Sequence, residues 1–182
     1  MLIYIVIFFI IILIIFFFSS KTLSPIPYFP SQQADLPKII KALNLKNNQT
    51  VFDLGAGDGI IIFETAKESL KQKLNTKFIA VEINPVLILI LLLRRLFHPN
   101  KKNIKIVYGD IFSMNYQKLL TFNFSLLTFY LYISPWFLEK VIENCKMKNK
   151  NFNVVSYMYP VKSLKSKEKI IQGKNSIFIY NL

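Results

Sequence analysis

Thr50-Val51-Phe52-Asp53-Leu54-Gly55-Ala56-Gly57-Asp58-Gly59 is the stretch whose reading decides the fold. Thr50 to Leu54 is a short, mainly apolar run of strand-forming residues, and the three glycines after it permit positive φ and close backbone approach. Helical spacing resumes from Ile60 to Leu74, so the stretch reads as strand, tight turn and helix. Working outward, Lys77 to Glu82 is a second strand, and Asn84-Pro85 opens a helix through about Phe97 that His98-Pro99-Asn100 ends. Ile104 to Asp110 alternates as a third strand. Phe124 to Tyr132 is a long apolar fourth, Trp136 to about Met147 a helix, and Phe152 to Tyr159 a fifth strand. Lys169-Ile170-Ile171 and Ser176 to Tyr180 flank Gln172-Gly173-Lys174-Asn175 as a hairpin with Gly at its turn. Upstream, Leu36, Ile39, Ile40, Leu43 and Leu45 fall at helical spacing, with Asp35 the expected N-cap of a helix from Pro37 to Leu43. Strands alternating with helices define an α/β chain whose sheet is mostly parallel and covered on both faces.

In an open α/β sheet, ligands bind beyond the C-terminal ends of the strands, near the switch in strand order. The informative residues fall there. Asp53 and the glycines close the first strand, Glu82 the second, Asp110 the third and Ser134-Pro135-Trp136 the fourth. A nicotinamide-cofactor domain also uses a glycine turn and an acid after the second strand. Its G-x-G-x-x-G pattern requires a small residue at position 60, where this chain has Ile60. Asp58 at the turn would repel a pyrophosphate, whereas a cationic ligand tolerates the acids. No Walker lysine follows the loop, which argues against a nucleoside-triphosphate hydrolase.

The 182 residues are 53% apolar, with 23 Lys+Arg against 10 Asp+Glu, a net charge of +13 and one Cys. A lone Cys145 excludes an internal disulfide scaffold. The first 18 residues, MLIYIVIFFIIILIIFFF, carry no charge, Gly or Pro. A helix over Leu2 to Phe18 would span roughly 26 Å, slightly short of a hydrocarbon core of about 30 Å. One crossing with little tilt is feasible. The competing reading, a cleaved signal peptide, wants a basic start and a small-x-small cleavage site, which Ser19-Ser20-Lys21 lacks. Positive charge begins only at Lys21, so a retained span orients the remainder toward the cytoplasm. The expected layout is a membrane anchor over 1–20, a Pro-rich connector over 21–36 and one domain over 37–182. The lysines are scattered without an arginine cluster or recognition motif, so a nucleic-acid partner is not expected.

VFDLGAGDG, VEINP and YGDIF resemble the first three motifs of the class I S-adenosylmethionine-dependent methyltransferases, which have a Rossmann-like sheet. More narrowly, IPYFPSQQADLPKIIKAL, VEINPVL, FYLYISPWFLEKV and VVSYMYP are similar to small membrane-anchored protein-lysine methyltransferases, of the type acting on ATP synthase subunit c and the adenine nucleotide carrier. The resemblance covers about residues 25–180. It implies S-adenosyl-L-methionine as cofactor, with Asp53, Gly55 and Gly57 under its methionine part. Glu82 would accept from the ribose hydroxyls and Asp110 from the adenine amino group. The implied partner is a protein substrate, in or near a membrane.

A lysine acceptor must lose a proton, from a reference pKa of about 10.4, and an apolar aromatic site favours the neutral amine. Tyr28, Phe29, Tyr130, Tyr132, Pro135, Trp136 and Tyr157 are candidate walls for that site, with core packing the competing role for each aromatic. Two departures stand out. Ile133-Ser134-Pro135-Trp136 replaces the Asn/Asp-Pro-Pro-aromatic motif of enzymes that methylate nucleobases and glutamine, and Ile60 replaces the family's basic turn residue. The segment after Tyr159 leaves only a small hairpin to finish the sheet. A lipid or quinone-like acceptor, or a non-catalytic membrane-surface module that keeps the fold, are the alternatives. His98, in its helix stop, and Cys145, on a helix, read as structural, and no metal-ligand spacing is present.

Overall fold

The computed structural model describes residues 1–20, 25–119, 126–145 and 152–182. An N-terminal helix, α1 (Leu2–Ser19), precedes α2 (Leu36–Leu43), β1 (Gln49–Leu54), α3 (Ile60–Lys71), β2 (Lys77–Glu82), α4 (Pro85–Phe97), β3 (Ile104–Tyr108), β4 (Leu126–Leu131), α5 (Leu138–Cys145), β5 (Phe152–Tyr157), β6 (Glu168–Gln172) and β7 (Ser176–Asn181). The strands form one seven-stranded sheet in the order β3-β2-β1-β4-β5-β7-β6. β1 to β5 run parallel, and β7 lies antiparallel to both β5 and β6. The order reverses between β1 and β4, and Asp53 lies on β1 at that junction, in register with Tyr130.

Alternate residues of each strand serve opposite faces. Phe52, Leu54, Phe129, Leu131 and Val154 pack with α5 through Leu138, Val141, Ile142 and Cys145. Val51, Phe78, Ala80, Tyr130 and Val155 pack on the other face with Ile39 and Leu43 of α2, Ile61 and Ile62 of α3 and Leu91 of α4. The Cys145 thiol is buried within the first cluster, in keeping with a packing role. His98 accepts from the Asn100 amide at Nδ1, 3.1 Å, and its Nε2 lies 3.0 Å from the Phe63 carbonyl. The ring therefore carries its proton on Nε2 and ties the end of α4 to α3.

Several boundaries contract from their sequence-based positions. α3 ends at Lys71 because Lys73 turns left-handed, with φ 56°, and the Leu74 amide returns to the Ser69 carbonyl at 3.0 Å. β5 ends at Tyr157 because Met158 has φ 74° and its amide bonds Ser176 at 2.8 Å. β3 ends at Tyr108, two residues before Asp110. Pro135–Phe137 form a 3-10 turn, so α5 begins at Leu138 and not at Trp136. Phe124 of the expected fourth strand, Met147 of the expected helix and the start of the connector at Lys21 lie outside the described residues.

Asp35 requires a correction. It occupies the N-cap position of α2 but makes no side-chain cap bond, and α2 starts one residue early, at Leu36. Its buried carboxylate reaches across the fold to accept from Tyr157 Oη at 2.7 Å, the Lys174 amide at 2.6 Å and the Asn175 amide at 2.9 Å. Asn175 Nδ2 also donates to Tyr157 Oη, at 2.9 Å. A Cβ on Gly173 would fall against Asp35 Oδ1. One carboxylate thus holds the β6–β7 turn against α2, which explains how so short a hairpin completes the sheet.

Desolvation alone would raise the Asp35 pKa, but the bonds from Tyr157, Asn175 and Lys174 outweigh it and hold it below its ordinary value. The folded value lies below the unfolded one, so the stabilisation is complete above about pH 4 and is lost as pH falls through the folded pKa. Asp35→Ala should cost about 3 kcal/mol, because three donors lose a charged acceptor. Thermal unfolding of the full chain in detergent should show that loss, and Asp35→Asn should flatten the acid limb of the stability profile.

Candidate functional site

Beyond the C-terminal ends of β1 to β4 lies a cleft lined by residues of the strand ends, the glycine turn and residues 25–31. Its floor is Asp53, Gly55, Ala56, Gly57 and Asp58, one wall holds Glu82 and Ile83, and another holds Asp110 and Ile111. Tyr130, Tyr132 and Ile133 close the β4 side, and residues 25–31 roof the cleft. The whole expected cofactor set therefore converges on one cavity.

Glu82 is the most constrained of these residues. Oε2 accepts from the Gly57 amide at 2.8 Å, and Oε1 accepts from the amides of Ile83 at 2.8 Å and Asn84 at 2.9 Å. The amides of Gly55 and Ala56 both bond the Val81 carbonyl at 3.0 Å, so the glycine turn is fastened to the end of β2 twice over. A carboxylate offers about four acceptor sites, so three are engaged and one remains for a ligand hydroxyl. Accepting from two ribose hydroxyls requires Glu82 to share or exchange a backbone bond.

Asp53 is fully enclosed, and its pKa is pushed up to about 8 by burial first and then by the charges of Glu82 and Asp58, the Ile62 amide acting in the opposite direction. A buried acid with so little donor support fits a cationic ligand, because a positive charge alongside would favour ionisation. Asp58 is committed elsewhere. Oδ1 accepts from the Ile60 amide at 3.2 Å, partly capping α3, while Oδ2 pairs with Arg94 Nη1 at 2.8 Å. Asp110 Oδ1 accepts from the Phe112 amide at 2.9 Å and Oδ2 from Ser113 Oγ at 3.2 Å, which orders the turn after β3.

The roof meets the floor at one contact. Gly57 has φ +58°, and a Cβ there would lie 2.6 Å from Tyr28 Cε2. Glycine is thus required twice over, by backbone conformation and by the ring above it. Burial, and then the proximity of Asp58, push the Tyr28 phenol above its ordinary pKa. Ser31 Oγ lies 3.2 Å from Tyr130 Oη and ties the far end of the roof to β4.

Of the candidate walls, Tyr28, Phe29, Tyr130 and Tyr132 line the cleft. Tyr157 does not; it is buried beneath Tyr132, with its hydroxyl on Asp35, so its role is packing. Pro135 and Trp136 lie outside the cleft, and Trp136 is 83% exposed on the 3-10 turn after β4. Sequence reasoning missed Ile83 and Ile111, which follow Glu82 and Asp110 by one residue and supply apolar surface beside each acid. Adjacency to a strand-end acid is the signal that would have found them.

No protein-family model and no curated protein sequence matches the chain. Solved structures do. An RNA methyltransferase from Salinibacter ruber in complex with S-adenosyl-L-homocysteine aligns at TM-score 0.64 and 15% identity, covering 84% of this chain and 93% of that one. TrmK from M. capricolum, in complex with the cofactor product S-adenosyl-homocysteine, aligns at TM-score 0.57 and 16% identity, covering 82% and 67%. A precorrin-6y C5,15-methyltransferase from Geobacter metallireducens aligns at TM-score 0.58 and 15% identity, covering 89% and 90%. The chain therefore has the Rossmann-like fold of the class I S-adenosylmethionine-dependent methyltransferases, with an apolar helix in front of it.

Gly57→Ala should destabilise the protein by about 1–2 kcal/mol from left-handed strain alone, with a further loss from displacing the Tyr28 ring. Tyr28→Ala in the same chain should recover the second part only. A double-mutant cycle read by thermal unfolding should give a coupling of about 1 kcal/mol between the two sites.

Proposed function

We propose that this protein is an S-adenosylmethionine-dependent methyltransferase whose acceptor is a protein lysine presented at a membrane. The observation that carries the reading is the convergence of Asp53, Glu82 and Asp110 on one cleft at the β1/β4 switch. The roof of that cleft is the segment leading from the apolar helix. The cofactor, when bound, supplies a methyl group on a sulfonium centre. Asp53 and the turn at Gly55 and Gly57 would hold its methionine part, Glu82 the ribose and Asp110 the adenine, with Ile83 and Ile111 against the base.

Tyr28, Tyr130 and Tyr132 would exclude water from the reacting end and favour a neutral amine, while Phe29, 68% exposed, lies at the rim. Aligning acceptor and methyl donor is then the main catalytic task, and no side chain of this cleft needs to act as a strong base. The membrane part of the reading rests on α1, which is long and apolar enough to cross a bilayer and has no buried residue. Asn84, two residues beyond Glu82 and next to Ile83 of the cleft wall, donates from Nδ2 to the Phe17 carbonyl at 3.2 Å, which ties the inner end of α1 to the loop after β2. We place the domain on the cytoplasmic side because positive charge begins only after the span.

A lipid or quinone-like acceptor is the second reading, favoured by that same proximity of cleft and anchor. Nucleic acid ranks below both. Solved neighbours include RNA methyltransferases, but Ile133-Ser134-Pro135-Trp136 carries no Asn/Asp-Pro-Pro motif, and Trp136 is exposed and does not line the cleft. Incubating the full chain with its own membranes and methyl-labelled cofactor separates these readings. Label in the protein fraction supports the first and label in the organic extract the second. Label in RNA would require a different acceptor site, and calorimetry without cofactor binding would sink every enzymatic reading.

Glu82→Gln should weaken cofactor binding by about 2–3 kcal/mol, because an amide nitrogen would face backbone donors or the ribose where an acceptor is needed. Cofactor affinity of the unaltered protein should rise as pH approaches about 8 and then level off, as Asp53 ionises against the sulfonium. The folded pKa of Asp53 lies above the unfolded one, so its ionisation lowers stability as pH rises from the ordinary carboxylate range to about 8. Asp53→Asn should accordingly raise the neutral-pH melting midpoint, weaken cofactor binding and remove the pH dependence, all readable by calorimetry.

A further inference from the structure

The outer face of α4 is apolar. Leu89, Leu92, Leu93, Leu96 and Phe97 are 57, 47, 53, 57 and 83% exposed. Their spacing of i, i+3, i+4, i+7 and i+8 places all five on one stripe, while Leu87 and Leu91 on the opposite side are buried. A contiguous exposed stripe of this size marks an interaction surface, unlike single scattered leucines.

Two observations identify the occupant. The N-terminus of α4 adjoins the inner end of α1 through the Asn84–Phe17 bond, so whatever holds α1 lies next to this stripe. Between Glu82 and Asp110 the chain carries five cations, Arg94, Arg95, Lys101, Lys102 and Lys105, and no acid. Arg94 is spent on Asp58, and Arg95 Nε on the Ile104 carbonyl at 2.6 Å. Lys101 and Lys102, in the turn after α4, are exposed, whereas Lys105 alternates with Ile104 and Ile106 and belongs to the opposite face of the sheet. An apolar helix face bordered by exposed lysines matches a bilayer surface with anionic headgroups, into which such faces sink about 5–10 Å.

We propose that α4 is a second membrane contact, lying in the interface and seating the β3 edge of the sheet on the anionic leaflet. This rests on α1 being a membrane anchor, as proposed above. It assigns the Leu89 to Phe97 stripe to lipid and turns the mouth of the cleft toward the bilayer surface. An acceptor at or just above the headgroups would then reach the site without leaving the membrane.

The test uses the full chain with Cys145→Ala, reconstituted in phosphatidylcholine vesicles containing about one quarter phosphatidylglycerol. Single cysteines at Ile10, Leu93 or Lys169 carry an environment-sensitive fluorophore, and spin-labelled lipid serves as quencher. Lys169 is exposed on β6, at the opposite edge of the sheet. Circular dichroism of each labelled protein verifies the fold. Quenching at Leu93 several-fold above that at Lys169, with Ile10 also quenched, is the expected result. Quenching at Ile10 with Leu93 no different from Lys169 overturns the α4 contact and leaves the anchor standing. A blue-shifted but unquenched Leu93 label means that protein covers the face, a second copy or another chain, and also overturns it. No quenching at Ile10 removes the anchor and the α4 contact together.

Discussion

The site depends on one carboxylate. Glu82 accepts backbone donors from the glycine turn after β1 and from the first residues after β2, and so locks together the two loops that form the cleft. Hydrogen bonds from several amides to a single charged acceptor are among the stronger ones available in a protein interior. They explain why three glycines in a row of five residues hold a defined shape. Asp53 lies within that frame with little donor support of its own, and like charge from Glu82 and Asp58 bears on it. Ionising Asp53 therefore costs stability, and a positive charge alongside would lower that cost.

A second carboxylate plays the corresponding part at the far end of the sheet. Asp35 joins α2 to the hairpin that supplies the last two strands. The two acids lie at opposite ends of a division of labour. Glu82 shapes the cleft at the strand ends, and Asp35 closes the far edge of the sheet. The lysines outnumber the acids more than two to one, 23 Lys+Arg against 10 Asp+Glu, but the functional geometry belongs to the minority charge.

The segment leading from α1 links placement to chemistry. Residues 25–31 read in sequence as a stiff connector, and its prolines do exclude a helix there, but in the fold this same segment forms the roof of the cleft. Tyr28 rests on Gly57, and Asn84, next to Ile83 of the cleft wall, bonds the last turn of α1. A spacer could vary in length without consequence. A roof cannot, because its ring has to meet a particular glycine.

The alternation of strand and helix, the glycine turn and an acid at the end of each of three strands were legible because each is a local pattern with a local cause: periodicity of burial, positive φ, and the position of the strand end. Gly55, Gly57, Asp53, Glu82 and Asp110 therefore came together where sequence placed them. Which aromatics face the cleft was not legible, since Tyr130, Tyr157 and Trp136 have similar local surroundings. Strand register and one 3-10 turn send them to the cavity, the core and solvent. The role of Asp35 was equally hidden. Next to a helix start it looks like a cap, and only a fold that brings residues 140 positions apart into contact can give its carboxylate better donors. Local rules determine what a residue can do, and the choice among long-range partners is made by the tertiary structure, because the free energy of burial is settled only when the whole sheet closes.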